Sequence, residues 1–346
     1  MELYITDPLA DRRWADLAAT HPKASVFHQP GWLEALARTY GYRLFALTSA
    51  PAGRPLSDGI VLCRVSSWMT GTRAVSLPFS DHCELLLNGP DQRLQFTQRL
   101  AAECDRQRWK YAELRPCVWD EDPRTRFWPS QSYCIHRLDL TPSLERLFQG
   151  LHRDSIQRKI QRADREKLSY ESGRTDQLLA EFYKLLLMTR KRHRLPPQPR
   201  LWFKNLVECV GEKCQISLAR KDRAPIAAML TLRHRSSVVY KYGCSDEKSH
   251  SLGGVPFLFW KLIEQSKETG AEELDFGRSD LDHDGLVTFK DRFGARKLLL
   301  TYVRYPQAKE ARIVSGLAQR SMGRIFSLLP DTVLPVVGRV LYKHMG

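Results

Sequence analysis

Residues 238–295 read VVYKYGCSDEKSHSLGGVPFLFWKLIEQSKETGAEELDFGRSDLDHDGLVTFKDRFGA, and this stretch decides the fold. Its apolar and aromatic start, residues 238–242, predicts a strand. A polar loop then ends at Gly253-Gly254, and apolar residues at helical spacing predict a helix from Pro256, where no N–H is needed. A second strand is predicted at residues 273–276. A glycine loop between a strand and a helix presents free N–H groups and the positive end of the helix dipole, which suits a phosphate.

The length and composition of the chain indicate two globular domains. Its 346 residues exceed the roughly 100–200 residues of a single domain, and 42% of them are hydrophobic, enough for two cores. No apolar run approaches the ~20 residues of a transmembrane helix, and the acidic N-terminal segment does not read as a signal peptide. The 8 cysteines include no Cys-x-x-Cys pair, which favours reduced thiols in the cytoplasm and argues against a zinc site.

The net charge of +15 points to a polyanionic partner. Nucleic acid, anionic lipid and a phosphorylated substrate are the three classes that fit, and generic solubility is the alternative explanation. The basic residues are concentrated in residues 153–167, in the sequence RKRHR at 190–194, and in the tail from 309 to 343.

The order of predicted elements in the first half of the chain recurs in the second half. Both halves show three strands, a helix and a further strand, at an offset of roughly 160–170 residues. The first series comprises strands at 44–49, 59–67 and 74–78, a helix at 91–108 and a strand at 111–115. The second comprises strands at 215–220, 226–234 and 238–242, the helix from Pro256 and the strand at 273–276. This repeat predicts duplication of one α/β unit with a mixed sheet, in which only the second copy has the glycine loop.

The boundary between the two copies is expected near Thr141-Pro142. We therefore predict a first domain over residues 1–145, a second over 146–308 and a tail over 309–346. Apolar and basic residues in the tail predict a basic amphipathic helical segment. Such a segment either lies in an anionic membrane surface or docks on the first domain, and both alternatives remain open.

The glycine-loop unit resembles motif A of the GNAT acyltransferase fold, with its Arg-x-x-Gly-x-Gly loop relaxed to Ser-Leu-Gly-Gly. Over about residues 20–305, the order of further motifs is similar to that of the FemAB-like peptidyltransferases, nearest the branch associated with exopolysaccharide and exosortase systems. These motifs are Phe27-His-Gln-Pro-Gly-Trp32, Arg158-Lys-Ile-Gln-Arg-Ala163, Thr189-Arg-Lys-Arg192, Tyr240-Lys-Tyr-Gly243, Asp275-Phe-Gly-Arg-Ser279 and Thr288-Phe-Lys-Asp-Arg-Phe-Gly294.

The resemblance implies an α/β (α+β) fold of two tandem GNAT-like domains with mixed sheets, followed by the helical tail. It also implies transfer of an acyl or aminoacyl group to an amine, from acyl-CoA or aminoacyl-tRNA, with no tightly bound cofactor. In characterised members the donor is aminoacyl-tRNA and the acceptor is a peptidoglycan precursor. The expected acceptor is a phosphorylated, glycan or peptide amine of the cell envelope or of exopolysaccharide synthesis. We expect a cytoplasmic protein, peripheral at the inner membrane if residues 309–346 bind lipid.

A protein of a different class also fits the sequence. A catalytically inactive GNAT-fold adaptor would use the same basic faces to bind RNA or anionic lipid. A Lys290 side chain directed away from any cleft would favour this adaptor. Between the two donors of the enzyme, net charge favours tRNA, whereas the glycine loop permits CoA.

Three residues match catalytic or binding positions of the family. Lys290 matches a lysine thought to hold the negative charge of the tetrahedral intermediate; the alternative is a solvated lysine on a turn. Tyr242 matches a tyrosine that hydrogen-bonds the carbonyl or the departing hydroxyl, and an ordinary strand aromatic is the alternative. Arg192 matches a phosphate-binding arginine and is otherwise a solvated loop residue. We expect Lys290, Tyr242 and Asp275 to form the catalytic group, although an aspartate at a strand end is usually structural.

The remaining predicted site residues surround this group. Those expected to bind the donor are Ser251, Gly253, Gly254 and Arg278, and those expected to bind substrate are Arg192, Phe289 and Arg292. The cleft near Gly253-Gly254 is expected to be lined by Tyr242, Arg278 and Lys290. Arg278 and Arg292 alternatively pair with Asp275 and Asp291.

No metal site is predicted. The acidic turn at 280–284 lacks the later glutamate of a calcium loop. His28, His82 and His136 lie in the first copy and are expected to be structural histidines held by hydrogen bonds, rather than bases.

Overall fold

The computed structural model of the chain describes residues 2–68, 70–307, 338 and 341–344. The first part of the chain forms strands and helices in an order that matches the predicted first series. In chain order they are β1 (Tyr4–Thr6), α1 (Arg12–Thr20), α2 (Pro30–Tyr40), β2 (Arg43–Thr48), β3 (Ile60–Ser67), β4 (Gly71–Val75), α3 (Pro90–Arg106), β5 (Ala112–Leu114) and β6 (Trp128–Asp139).

The second part contains the predicted glycine-loop unit within a longer series of elements. They are α4 (Leu144–Gly150), α5 (Arg158–Arg165), β7 (Ser169–Gly173), α6 (Asp176–Arg192), α7 (Arg200–Val210), β8 (Cys214–Lys221), β9 (Ala224–His234), β10 (Ser237–Ser245), α8 (Gly254–Glu268), β11 (Glu273–Asp280), α9 (Asp284–Asp291) and β12 (Arg296–Tyr305). All strands of the predicted repeat are present within a few residues of their expected ends. Strands β1, β6, β7 and β12 and several helices, among them α6, α7 and α9, are absent from the sequence-based prediction.

A single 12-stranded mixed sheet runs through the described residues, in the order β1-β2-β3-β4-β5-β12-β6-β11-β10-β9-β8-β7. Two neighbouring pairs are parallel, β4 with β5 and β10 with β11. The other neighbouring pairs are antiparallel. One helix joins the strands of each parallel pair, α3 in the first half and α8 in the second. The predicted duplication of an α/β unit with a mixed sheet is therefore confirmed.

The two central strands of the sheet are exchanged between the halves. Strand β12, from the end of the second half, lies between β5 and β6, and β6 in turn pairs with β11. Along β12, Val303 faces Leu114 of β5, and Leu298 faces Ile135 of β6. Three neighbouring pairs of the sheet, β5 with β12, β12 with β6 and β6 with β11, therefore join residues on either side of the expected boundary at 145 and 146, and the domain limits themselves stay a prediction.

One apolar core joins the two halves through α2 and α7. The rings of Trp32 and Trp202 meet edge to face, with centroids 5.2 Å apart. A Cβ atom at Gly31 would overlap the backbone carbonyl of Cys209, so only glycine allows the two helices to approach this closely. The Phe27–Trp32 motif therefore serves to pack the halves together, and Phe27 and Trp32 are fully buried.

Most of the predicted tail, residues 309–337, lies outside the described residues. The described end of the chain contacts both halves. The hydroxyl of Tyr42 donates to the backbone oxygen of Tyr342 at 2.8 Å, and the hydroxyl of Tyr342 donates to the backbone oxygen of Pro196 at 3.1 Å. Arg73 donates to the backbone oxygen of His344 at 2.8 Å. Docking is thus observed for residues 341–344. No helix within the described ranges is long and apolar enough to cross a membrane.

Candidate active site

Strands β10 and β11 separate soon after they begin. They pair in parallel over Ser237–Val239 and Glu273–Asp275, although both strands continue further. The register of β10 against β9 shifts after Tyr240, and the register of β11 against β6 shifts after Asp275. Irregularities of this kind bend a strand away from its neighbour and leave peptide groups without a partner in the ladder. The result is an opening between β10 and β11, which we call the strand opening.

Lys290 points its ammonium group into the strand opening. The Nζ atom donates to the backbone oxygens of Gly277 at 2.6 Å and Arg278 at 3.3 Å. The residue lies on α9 and is only 2% exposed, which excludes a solvated lysine on a turn. Burial lowers the pKa of Lys290 to about 8, and the negative charges of Asp81 and Asp275 limit this fall. The side chain is thus a buried cation at neutral pH that titrates just above it.

Helix α9 is held by aromatic packing on either side of Lys290. The rings of Phe289 and Phe293 lie 5.8 and 5.0 Å from the ring of Phe259 in α8. Phe293 is buried, whereas Phe289 is half-buried. This packing fixes the helix and therefore the direction of the Lys290 side chain.

Asp275 lies on the opposite side of Gly277 from Lys290 and is not free to act as a base. Its Oδ1 accepts from the N–H of Gly277 at 2.7 Å, and its Oδ2 lies 3.3 Å from Nε2 of His82. Burial alone would raise the pKa of Asp275, but the bond to His82, the charge of that imidazole and the charge of Arg137 lower it overall. Burial works in the opposite direction on His82, yet Cys117 and Asp275 raise its pKa well above the usual value.

A second buried ion pair, absent from the sequence-based prediction, lies beside the strand opening. Lys241 of β10 donates to Oδ1 of Asp81 at 2.8 Å. The ammonium of Lys241 also lies 5.5 Å from the ring centroid of Phe27 and 6.0 Å from that of Trp32. Burial lowers the pKa of Lys241, although Asp81 opposes this shift. A lysine inside an otherwise apolar strand was the available sequence signal for this pair.

The first half supplies Asp81 and His82 to a site built mainly by the second half. Both residues belong to the segment between β4 and α3. A Cβ at Gly277, whose φ is +71°, would lie 3.3 Å from Oδ2 of Asp81, so the segment reaches the strand opening itself. His82 is hydrogen-bonded, as expected, but its partner is the buried Asp275 of the other half. An Asp-His pair after an apolar run is a weak signal in a single sequence, and its position depends on the fold.

Tyr242 faces the shared core, away from Lys290. Its hydroxyl accepts from Nε1 of Trp202 at 2.9 Å, and its ring packs edge to face on Phe203 at 5.0 Å. Burial raises the pKa of Tyr242 further above that of a free tyrosine. This environment is the one expected for an ordinary strand aromatic, and the catalytic role of Tyr242 stays a prediction.

The glycine loop forms a cavity of about 240 Å³ at the N-terminus of α8. A Cβ at Gly253 would overlap the backbone oxygen of Lys159 in α5, and the φ of +79° at this position also requires glycine. The cavity is lined by Ser245, His250 and Phe289 among others, and Arg192 at the end of α6 donates to the backbone oxygen of Ser245 at 3.3 Å.

The structure brings some of the predicted site residues together and leaves others apart. Gly254 and Phe289 line the cavity at the glycine loop, Gly253 begins α8 beside it, Arg192 lies at its edge, and Ser251 is exposed in the loop. The expectation that Tyr242, Arg278 and Lys290 line this cavity is wrong, because their side chains bond to Trp202, stack on Tyr133 and bond to the backbone oxygen of Gly277, respectively.

The two predicted arginine–aspartate pairs are replaced by other contacts. The guanidinium of Arg278 stacks on Tyr133, 4.1 Å from the ring centroid, and donates to the hydroxyl of Tyr302 at 2.9 Å. Asp291 bonds to Nε2 of His136 at 3.0 Å, and Arg292 is exposed at the end of α9. Arg278 therefore remains close to the strand opening through its backbone, while Arg292 is directed to solvent.

A larger cleft of about 590 Å³ opens on the other side of Asp275, between the two halves. We call it the interhalf cleft. Its walls include His82 and Cys117 from the first half, and Arg137, His234 and Asp275. Asp275 is thus shared between the interhalf cleft and the strand opening.

Comparison with known proteins agrees with this geometry. Residues 151–285 match the protein family described as Acetyltransferase (GNAT) domain. The fold is a tandem GNAT fold. This match confirms the expected acyltransferase class. The matched domain contains β10, the glycine loop and α8. The sequence has no match among curated proteins.

Solved structures with the same fold cover nearly the whole chain. FemX has 13% identity and a TM-score of 0.65, with 87% of this chain and 97% of that chain covered. L-PGS from Bacillus licheniformis has 14% identity and a TM-score of 0.56, covering 84% and 91%. A tandem GNAT protein from the clavulanic acid biosynthesis pathway has 12% identity and a TM-score of 0.53, covering 88% and 98%. At these identities the neighbours show that the tandem fold is shared.

Proposed function

We propose that the protein is an N-acyltransferase or aminoacyltransferase that joins an activated acyl or aminoacyl group to an amine at the strand opening. Lys290 carries this proposal, because its buried ammonium lies at the carbonyl oxygens of Gly277 and Arg278. Attack of an amine on an activated carbonyl develops a negatively charged oxygen. A preorganised donor in a site shielded from water stabilises such a charge by roughly 3–4 kcal/mol.

The cavity at the glycine loop is the proposed donor site. The first N–H groups of α8 have no carbonyl partner in a preceding turn, and the first turn of this helix contains no acidic side chain. Arg192 lies at the edge of the cavity, and Lys159 forms part of its wall. Free N–H groups, the helix dipole and two cations together suit a phosphate of the donor.

Aminoacyl-tRNA fits this site better than acyl-CoA because of the surface of α5. The helix packs against the glycine loop, buries Ile160 and Ala163, and exposes a row of cations on the other face. The exposed cations are Arg158, Lys159, Arg162 and Arg165. An extended basic face beside the donor cavity suits a long polyanion, whereas CoA requires only a short phosphate site.

The acceptor amine is proposed to approach through the interhalf cleft. Its volume of about 590 Å³ is typical of a small-molecule site, and it reaches the strand opening at Asp275. The resemblance to FemAB-like proteins supports a phosphorylated, glycan or peptide amine of the cell envelope or of exopolysaccharide synthesis. The adaptor alternative is less well supported, because it does not account for a buried lysine directed into the strand opening.

Filter binding of bulk tRNA and of acetyl-CoA tests the donor. We expect tRNA to bind with an affinity that falls with salt, and Arg158→Glu with Arg162→Glu to weaken it by about 10-fold. Arg54→Glu with Arg99→Glu is the matched control, because these exposed arginines lie in the first half. Binding of acetyl-CoA without tRNA would make acyl-CoA the donor, and binding of neither would contradict the proposed function.

A further inference from the structure

The interhalf cleft contains a cysteine whose surroundings differ from those of the other cysteines. The structure describes all eight, and none is in a disulfide. Six are buried, and burial raises the thiol pKa of several of them, for example to about 12 at Cys214. Cys117 and Cys209 are the two half-buried thiols, and only Cys117 lines the cleft.

Two cationic groups meet at the sulfur of Cys117. Nη2 of Arg137 donates to Sγ at 3.2 Å, a short distance for an N–H···S contact. Burial lowers the pKa of His82, but Cys117 and Asp275 raise it overall, and His82 lines the same cleft as Cys117. A thiolate is the nucleophilic form of cysteine.

His82 connects Cys117 to a carboxylate. Its Nε2 lies 3.3 Å from Oδ2 of Asp275, whereas its Nδ1 has no hydrogen-bond partner among the described residues. The side chain is 95% buried and lines the cleft. An imidazole held by a carboxylate on one nitrogen and free on the other is the arrangement that moves a proton to and from a neighbouring nucleophile.

The other charged groups of the cleft have partners of their own. Arg93 pairs with Asp120 at 3.1 Å, Lys23 and Arg235 donate to backbone oxygens, and Arg137 lies 3.8 Å from Glu273. Glu84 accepts the backbone N–H of Cys117 and is the acidic group that opposes a thiolate there. Burial lowers the pKa of His234 to about 4, so this histidine is neutral. Arg137 and His82 therefore remain as the cations that face the sulfur.

We propose that Cys117 is a second nucleophile, which accepts an acyl group as a thioester with His82 and Asp275 as its proton-transfer pair. The inference rests on the proposed function for the source of the acyl group. The sulfur of the thiolate bonds to the carbonyl carbon of an activated ester or thioester, and the departing alkoxide or thiolate takes the proton of His82. An amine then attacks the thioester, the C–S bond breaks, the thiolate returns, and the amine proton passes to His82.

The position of the acyl group on Cys117 fits a relay to the strand opening. Asp275 bonds to His82 with one oxygen and to the N–H of Gly277 with the other. Lys290 bonds to the oxygen of the same Gly277 at 2.6 Å. The two sites are therefore neighbours across a single carboxylate.

Alkylation of the wild-type protein tests the nucleophile without any natural substrate. Iodoacetamide is added over a range of pH, and peptide mass spectrometry gives the rate at each cysteine. We expect Cys117 to react at pH 7 at least ~10-fold faster than Cys209, whose pKa is raised by burial. Arg137→Gln and His82→Asn should reduce this advantage. Reaction of Cys117 no faster than Cys209 would overturn the proposal.

Acylation by p-nitrophenyl acetate tests the covalent step. We expect one acetyl group on Cys117, removed by hydroxylamine, absent in Cys117→Ala and retained in Cys209→Ala. No adduct on Cys117 would overturn the inference. Amide formation from the donor at an unchanged rate in Cys117→Ala would overturn it too, while leaving the role of Lys290 intact. Loss of amide formation in Lys290→Met, together with a normal Cys117 adduct, would instead support the proposal, because it would show that the two residues act in separate steps.

Discussion

The two halves of the molecule share the same order of strands and helix. They differ at the junction where the two parallel strands of each half meet. In the second half, the parallel strands β10 and β11 separate, and a buried lysine enters between them. In the first half, the junction of β4 and β5 is filled by Glu113, which bonds to Arg115 at 2.9 Å and to Arg304 at 2.6 Å. The same fold thus occurs twice with different side chains at this junction, and the proposed chemistry belongs to the second copy.

The helices that follow these junctions also differ at their first turns. Helix α3 begins after Gly89 with Asp91 in its first turn, so an acid of the chain itself lies at the positive end of the dipole. Helix α8 begins at Gly253 and Gly254 with no acid in its first turn. The first half neutralises its helix terminus internally, and the second half leaves it available to an anionic ligand.

A large effect on stability is expected from breaking the filled junction of the first half. Arg115→Met should destabilise the protein by roughly 3 kcal/mol, because Glu113 is only 3% exposed and would lose one of its two cations. Burial raises the pKa of Glu113, but the two arginines lower it overall. The stability that this carboxylate contributes is therefore present above the ordinary glutamate pKa and lost as pH falls. Urea unfolding at pH 7 and at acidic pH measures both effects.

The matching change in the second half is Arg278→Met. This arginine stacks on Tyr133 and has no carboxylate partner among the described contacts, so we expect a loss of about 1 kcal/mol. Equal destabilisation by Arg115→Met and Arg278→Met would contradict this difference between the first junction, where the arginine pairs with a buried carboxylate, and the second, where the arginine stacks on a tyrosine instead.

A pair of glycine substitutions probes the two helix N-termini. Gly253→Ala should destabilise the protein by about 2–4 kcal/mol and abolish donor binding, because a Cβ there meets the backbone of Lys159 at a positive φ. Gly89→Ala should change stability by less than about 1 kcal/mol, because nothing lies within 4 Å of its Cβ. Thermal unfolding and filter binding measure the two effects. Similar losses of stability and of donor binding in both variants would contradict the proposed difference between the N-termini of α3 and α8.

The buried lysine gives the second half a characteristic pH dependence of stability. The pKa of Lys290 is about 8 in the folded protein and 10.5 ordinarily, so between these values the unfolded chain binds more protons. Stability relative to Lys290→Met should therefore rise with pH across that window, by up to roughly 3 kcal/mol. Urea unfolding of both proteins from pH 7 to pH 10 measures the difference. A difference that does not change with pH would mean that the ammonium is solvated.

The sequence predicts the unit around β10, α8 and β11 well, because local periodicity and two glycines determine it. It does not predict that β6 and β12 exchange places, since pairing between strands about 160 residues apart leaves no local pattern. It misses α9, whose eight residues are too few for a clear helical period. The glycine loop in the sequence thus predicted the position of the cavity at the N-terminus of α8, whereas the order of strands at the centre of the sheet required the structure.

Some residues of the candidate site can likewise be predicted from the sequence, whereas others become apparent only in the fold. Lys290 and Asp275 can be selected from their motifs, but a lysine is exposed in most proteins, and its burial depends on the packing of α9 against α8. Asp81, His82 and Cys117 come from the first half and reach the site only through the shared sheet and core. Residues contributed across an interface follow no spacing rule in one sequence, so the contact of His82 with Asp275 could not be predicted.

The rate of amide formation by Lys290→Met tests directly whether Lys290 stabilises the transition state of acyl transfer. The donor is the one selected by filter binding, the acceptor is a pool of cell-envelope precursors, and product is measured by mass spectrometry. Lys297→Met serves as the control, because that lysine is exposed on β12. Arg192→Ala, a change at the donor site, should instead raise the Michaelis constant and leave turnover closer to normal.

We expect Lys290→Met to lower turnover by ~10²–10³ with little change in donor affinity, because the interaction it removes stabilises a charge that exists only in the transition state. Turnover in Lys290→Met equal to that in Lys297→Met would contradict it, and the strand opening would no longer be the site of acyl transfer.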